Sequence, residues 1–224
     1  MSAEEKYDPV KAQATAETYD AEAEATSWLG PQIAFDLVCE YVEPGQSVLD
    51  LGIGTGLASM PFRKTGLHVH GMDTSQEMLD ACRWKGFEYL TRHDLTSRPY
   101  PYTSGSFDHV VCLGVLPFIR DLSRLFAETQ RLLKTGGVFV FMTADRMDDE
   151  EIELEVSPEY TDSNESVTLY RHSADQISRW LEEAGLALLR SVPFVIYMDS
   201  AKRGTMPGKC YAARKAAVSD RERL

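Results

Sequence analysis

Cysteine is scarce and dispersed in this chain: Cys39, Cys82, Cys112 and Cys210 are the only four. No C-x-x-C pair and no Cys/His cluster occurs, which excludes the usual zinc signatures and a disulfide framework, so no metal site is expected. Long apolar runs are also missing; none approaches the roughly 20 residues of a membrane helix. The N-terminus has no basic-then-apolar leader pattern. These absences lead to the expectation of a cytoplasmic, reduced protein with no membrane segment. Basic residues are outnumbered, 23 Lys and Arg against 35 Asp and Glu, for a formal net charge of −12. That field repels a phosphate backbone and disfavours a nucleic-acid substrate. The only basic concentration is C-terminal, from Lys202 and Arg203 through Lys209, Arg214 and Lys215 to Arg221 and Arg223.

What is present is a regular alternation. The 224 residues, 43% of them apolar, are enough for one domain with a real core, read as a single unit over 1–224. After a polar, acidic start, Ile33, Leu37, Val38 and Tyr41 share a helical face. "EPGQ" breaks that helix, and "SVLDL" reads as a buried strand. "LHVHGMD" is a second strand, followed by a helix opened by Thr74 and Glu77 at capping-box spacing. "FEYLTRHD" is a third strand, ending at Asp94, and "FDHVVCLGV" a fourth. Leu122, Leu125, Phe126, Thr129, Leu132 and Leu133 mark the next helix, which "KTGG" is expected to stop before the strand "VFVFMTA". Strands and helices alternating in this way imply a parallel sheet covered on both faces.

The pattern then changes. Residues 145–165 hold ten acids and one arginine. Within them "EIELEV" alternates like a half-exposed strand, with "SVTLY" as its hairpin partner. Ser173 and Gln176 form a second capping box, opening a helix whose stripe is Ile177, Trp180, Leu181 and Ala184 and whose stop is Gly185. "LALLRSVPFVIYM" and "KCYAARKA" have no helix between them, so they must pair as an antiparallel hairpin at the sheet edge.

The chemistry concentrates where the first strand ends, in Asp50-x-Gly52-x-Gly54-x-Gly56. Glycines there let backbone approach a ligand and adopt left-handed φ. The helix that follows points free N–H groups at that ligand. Nicotinamide-dinucleotide enzymes use G-x-G-x-x-G; here the third glycine comes one residue early, and Asp50 is an awkward neighbour for a pyrophosphate. It suits a ligand with a positive group. Asp73 ends the second strand 23 residues later, where a carboxylate can accept both hydroxyls of a ribose. Asp94 is placed to accept from an exocyclic amino group. A nucleoside with a cationic, amino-acid-like tail fits these groups, and S-adenosylmethionine is one.

At these residues the chain resembles the class I S-adenosylmethionine-dependent methyltransferases, in particular their small-molecule members. "VLDLGIGTG" is similar to their glycine-rich signature, "GMDTSQEMLDAC" to their second-strand acid and its helix, and "ETQRLLKTGGVFVF" to their fifth-strand region. "YRHSADQISRWLEEAGL" is similar to a later segment of the small-molecule members. The resemblance implies an α/β, Rossmann-like, doubly wound, mostly parallel seven-stranded sheet with the C-terminal antiparallel hairpin at its edge. It implies that Gly52, Gly54 and Gly56 cradle the methionine end and that Asp50 holds its ammonium, directly or through water. Asp73 would take the ribose diol, Thr74 and Met78 would lie beside the adenosine, and Asp94 and Leu95 would meet the adenine. Leu113 would lie near the sulfonium. Tyr7 and Tyr19 resemble tyrosines of an N-terminal flap, here 1–30, that covers the cofactor in some members. The acidic insertion, 145–170, falls where members carry substrate-covering elements and is a candidate lid.

Methyl transfer is an in-line displacement, and a general base is needed only when the acceptor must lose a proton. No catalytic residue is assigned: Pro117 and Phe118 stand where many relatives carry a histidine pair, and His172 is a weak candidate for facing the cleft. The expected function is methyl transfer from S-adenosylmethionine to a small-molecule acceptor at O, N or C. An acidic lid would favour a cationic acceptor. The alternative is a non-catalytic regulatory or scaffolding protein that binds the same cofactor.

Overall fold

A computed structural model describes residues 16–147, 150–156, 167–197 and 205–216. Tyr7, the first half of the expected flap and much of the acidic segment lie outside the described residues. The helices are α1 (Ala16–Ala25), α2 (Gly30–Val38), α3 (Met60–Lys64), α4 (Gln76–Trp84), α5 (Ser123–Leu132) and α6 (Ala174–Ala184). The strands are β1 (Ser47–Leu51), β2 (His68–Asp73), β3 (Tyr89–Arg92), β4 (Phe107–Cys112), β5 (Leu133–Asp145), β6 (Glu153–Val156), β7 (Val167–His172), β8 (Leu186–Tyr197) and β9 (Thr205–Lys215).

Parallel pairing runs β3-β2-β1-β4-β5. β9 lies antiparallel along β5, with Val138 opposite Arg214 and Ala144 opposite Gly208, and β8 closes the edge antiparallel to β9. The expected mostly parallel sheet with an antiparallel C-terminal pair is the observed fold. β6 and β7 pair as the acidic hairpin, with Leu154 opposite Leu169. Ala144 is partnered by Arg171 of β7 as well as by Gly208 of β9. One residue bridges one neighbour on each side, so β7 takes the edge of β5 that β4 vacates after Cys112, which sits opposite Phe141. The hairpin therefore stands beyond the carboxyl end of β4.

Strand alternation divides the core between two faces. Leu49, Leu51, Phe139, Phe141 and Tyr211 face α5 and α6; Val48, Val111, Val138 and Val140 face α2, α3 and α4. The stacked rings of Phe139 and Phe141 (centroids 4.5 Å apart) and of Phe141 and Tyr211 (5.1 Å) join β5 to β9. Ser173 caps α6 by accepting from Gln176 N, but Gln176 Oε1 has no partner among the described residues, so only half of the expected capping box forms; Gly185 ends the helix in the left-handed region at φ +74°, as the spacing predicts. Two local expectations shift. The cap of α4 is Ser75, which accepts from Met78 N, not Thr74; adjacent hydroxyls offer the same chemistry, and backbone direction selects between them. α5 ends at Leu132 because Leu133 already has extended backbone, and "KTGG" lies within β5 rather than forming the expected stop.

At the opposite end of the sheet His109 is 3% exposed and shares a 2.7 Å hydrogen bond between Nε2 and Gln46 Oε1. Burial pushes its pKa down to about 4 from 6.5. The folded state thus resists protonation that the unfolded chain accepts. His109 contributes stability that is full above pH 6.5 and is lost as pH falls through 4. His109→Gln is expected to remove this component, up to about 3 kcal/mol, seen in urea melts as a smaller stability difference between pH 4 and pH 7.

Candidate functional site

β1 ends at Leu51, and the chain turns through Gly52, Gly54 and Gly56, all at positive φ (+77°, +53° and +89°). Gly52 N and Ile53 N both donate to Met72 O, tying the turn to the end of β2. The three glycines are small for different reasons. A Cβ on Gly52 would meet Val115 Cγ2 at 2.3 Å, and one on Gly56 would meet Phe87 Cε2 at 2.6 Å, whereas at Gly54 nothing lies within 4 Å. Gly54 is the member of the trio that faces open space.

Asp73 closes the opening from the side. Its Oδ2 accepts from Gly54 N and its Oδ1 from Ser75 N, both at 2.9 Å. The backbone of Thr74 is a third donor to the same carboxylate, and with two acceptor positions on each oxygen the group keeps capacity for a further partner. The carboxylate is aimed by the loop it serves. Burial raises its pKa, against the pull of those backbone donors.

Asp50 is fully buried; Oδ2 accepts from Ser59 Oγ at 2.7 Å, and Oδ1 has no partner among the described residues. Burial pushes its pKa up to about 7, opposed by the Ser59 bond and helped by the charge of Asp73. A buried acceptor without a donor is costly, and a bound cation or ammonium would relieve it.

The remaining predicted residues spread around this centre. Met78 is 6% exposed in the first turn of α4, and Thr74 O accepts from Arg92 Nε. Asp94 lies two residues beyond β3, exposed, with Oδ1 accepting from Thr96 N at 2.7 Å. Leu95 is buried beside it, its carbonyl accepting from Tyr100 Oη. Leu113 is buried just past β4, among the residues facing α2 to α4. Tyr19 Oη comes 3.8 Å from where a Cβ of Gly114 would lie, so α1 reaches across to the end of β4. His172 is fully buried; Nε2 lies 3.0 Å from Ile119 O, and the ring meets Trp180 edge-on. Burial lowers its pKa. It lies at the end of β7, held against the segment after β4. Sequence reasoning missed Ser59, Thr55, Lys85 and Asp20. Ser59 had a signal, nine residues after Asp50 at the helix start; the others meet only through the tertiary fold.

Residues 49–141 match the family model described as a methyltransferase domain. A demethylmenaquinone methyltransferase of Tropheryma whipplei is 34% identical over 101 residues, 44% of this chain and 42% of that protein. A ubiquinone biosynthesis O-methyltransferase of Methylococcus capsulatus is 27% identical over 154 residues, 64% of each chain. The chain thus spans less than two thirds of these curated relatives. Among solved structures, a SAM-dependent methyltransferase from Methanosarcina mazei superposes with a TM-score of 0.68 at 17% identity, covering 80% of this chain and 97% of that one. A magnesium protoporphyrin IX methyltransferase from Synechocystis with bound SAH gives 0.63 at 17% identity, covering 89% and 87%. At such identities the likeness concerns the fold. The part that carries the glycine loop thus matches a methyltransferase-domain model, and the whole shares its fold with solved S-adenosylmethionine-dependent methyltransferases.

Proposed function

We propose that this chain transfers a methyl group from S-adenosylmethionine to a small-molecule acceptor. The observation that carries the reading is Asp73: a carboxylate fixed by the backbone of Gly54, Thr74 and Ser75, with acceptor capacity to spare, beside the loop glycine that faces open space. The residues fit the cofactor. Asp73 would hold its ribose diol and the unpartnered Asp50 Oδ1 its ammonium; Met78 and Leu95 would flank the adenosine. When bound, the cofactor supplies an electrophilic methyl on sulfur. The chain's part is to orient, enclose and exclude water.

The acceptor side is built by the segment after β4 and the β6–β7 hairpin. Phe118, Leu154 and Val156 all pack against the cluster that holds Val167 and Leu169, so the hairpin shares an apolar core with that segment. Three of the five described acids of the insertion are matched by cations, Glu150 by Arg171, Glu153 by Arg120 and Asp145 by Lys209, and Glu155 accepts from Thr168 Oγ1. This supports a lid role for 145–170 and an acceptor with an apolar body over a cationic one. The two relatives' names point to acceptors of the quinone-precursor kind. A reducing, cytoplasmic setting agrees with four free cysteines, and among the described residues no helix is long and apolar enough to cross a membrane.

Calorimetry with S-adenosylhomocysteine tests the site. Asp73→Ala is expected to weaken binding by about 1–3 kcal/mol, the scale of a lost buried hydrogen-bonding group; unchanged affinity refutes the ribose assignment. Methyl-labelled cofactor incubated with a panel of phenolic and amine acceptors tests the chemistry. Binding without transfer to any of them favours the regulatory alternative.

A further inference from the structure

The proposed cofactor carries one anionic group, and none of the residues above receives it: the carboxylate of its amino-acid tail. Two donors beside the glycine loop converge on a single point. Thr55 Oγ1 donates to Asp20 Oδ1 at 2.5 Å, and Lys85 Nζ pairs with Asp20 Oδ2. One carboxylate is gripped through both oxygens, one by each donor. Thr55 is fully buried beneath it, while the side chains of Lys85 and Asp20 are 28% and 36% exposed.

The element that delivers this carboxylate is weakly held. α1 has ten residues, and none of its described side chains is buried. A free helix of that length is unstable in water, so tertiary contacts hold it. They include Ala16 N to Glu77 Oε1, the edge contact of Tyr19 with Trp28, and the two bonds of Asp20. An anion presenting two oxygens to Thr55 and Lys85 would take over half of that attachment.

We propose that Thr55 and Lys85 form the subsite for the tail carboxylate of the cofactor, and that Asp20 is an internal competitor occupying it until the cofactor arrives. The inference rests on the S-adenosylmethionine reading. The exchange replaces carboxylate with carboxylate, so charge at the loop is conserved and no proton moves. Release of Asp20 frees α1, which couples cofactor entry to movement of the strap that crosses from Glu77 to Gly114.

Calorimetry on the intact chain tests this with two ligands: S-adenosylhomocysteine, and S-adenosyl-3-thiopropylamine, which keeps the ammonium and lacks the carboxylate. Asp20→Asn is expected to tighten S-adenosylhomocysteine about fivefold, the scale of a partly exposed ion pair, and to leave the amine within about twofold. Adding Lys85→Gln to Asp20→Asn is expected to reverse that gain for S-adenosylhomocysteine alone. If Asp20→Asn weakens S-adenosylhomocysteine, leaves it unchanged or tightens both ligands equally, the subsite is overturned while the cofactor reading stands. If the wild-type chain binds neither ligand, the cofactor reading itself falls, and the subsite with it.

Discussion

Gly54→Val is expected to reduce affinity for S-adenosylhomocysteine at least ~100-fold, on the order of 3 kcal/mol, while the chain stays folded. Gly54 sits at φ +53°, with nothing within 4 Å of the point a Cβ would occupy. A branched side chain would therefore enter the space where backbone now lies bare. The left-handed conformation costs a non-glycine residue about 1–2 kcal/mol, a loss that a domain of this size survives. It also strains the N–H that aims Asp73. Gly54→Ala separates the two effects, since it carries the same backbone cost with one methyl in the cavity and should bind measurably better than valine. Native circular dichroism with normal binding by Gly54→Val would show that the loop does not approach the ligand.

Asp50→Asn is expected to move stability and affinity in opposite directions. Asp50 has a pKa of about 7 in the fold against an ordinary 3.8, so the folded state holds a proton that the unfolded state has released. The stability it contributes is full below pH 3.8 and is lost as pH rises through 7. Three decades of proton affinity bound the effect at about 4 kcal/mol. Asparagine keeps the shape and an acceptor for Ser59 but never ionises. Its melting temperature at pH 8 should therefore exceed that of the wild type by on the order of 5 °C. An ammonium, however, is held best by the ionised form. Wild-type affinity for S-adenosylhomocysteine should rise from pH 6 to pH 8, whereas that of Asp50→Asn should stay flat and weaker. A wild-type affinity without that rise removes Asp50 from the cofactor's recognition. His109 acts with the opposite sign over nearly the same range, so the two largely offset each other in the wild-type stability profile and each variant exposes the other's slope.

Much of this was legible in the sequence because local pattern governs it. Apolar strand runs alternating with amphipathic helices determine the sheet, and glycines followed by strand-end acids mark the turn where Asp50 and Asp73 converge. Ser173 and Gly185 set the ends of α6 by side-chain and backbone chemistry that operates within a few residues. What was not legible depends on distance along the chain. Asp20 meets Thr55 and Lys85 across separations of 35 and 65 residues, and no periodicity encodes that meeting. Glu77 was expected to serve the cap of its own helix; it instead accepts from Ala16 N, 61 residues away. The separate tasks of Gly52, Gly54 and Gly56 were also hidden, because Val115 and Phe87 reach the loop from other elements.

β7 is joined to the main sheet through two residue pairs, Ala144 with Arg171 and Asp145 with His172. The seam is short: Arg146 N donates to His172 O beside it, and the apolar contact of Val167 and Leu169 with Ala144 and Met206 completes the attachment of the hairpin at the top of β5. On the proposed reading, exchange of the hairpin alone would alter acceptor preference and leave the turn from Gly52 to Gly56 intact, so a chimaera carrying a relative's hairpin is expected to take on that relative's choice of acceptor.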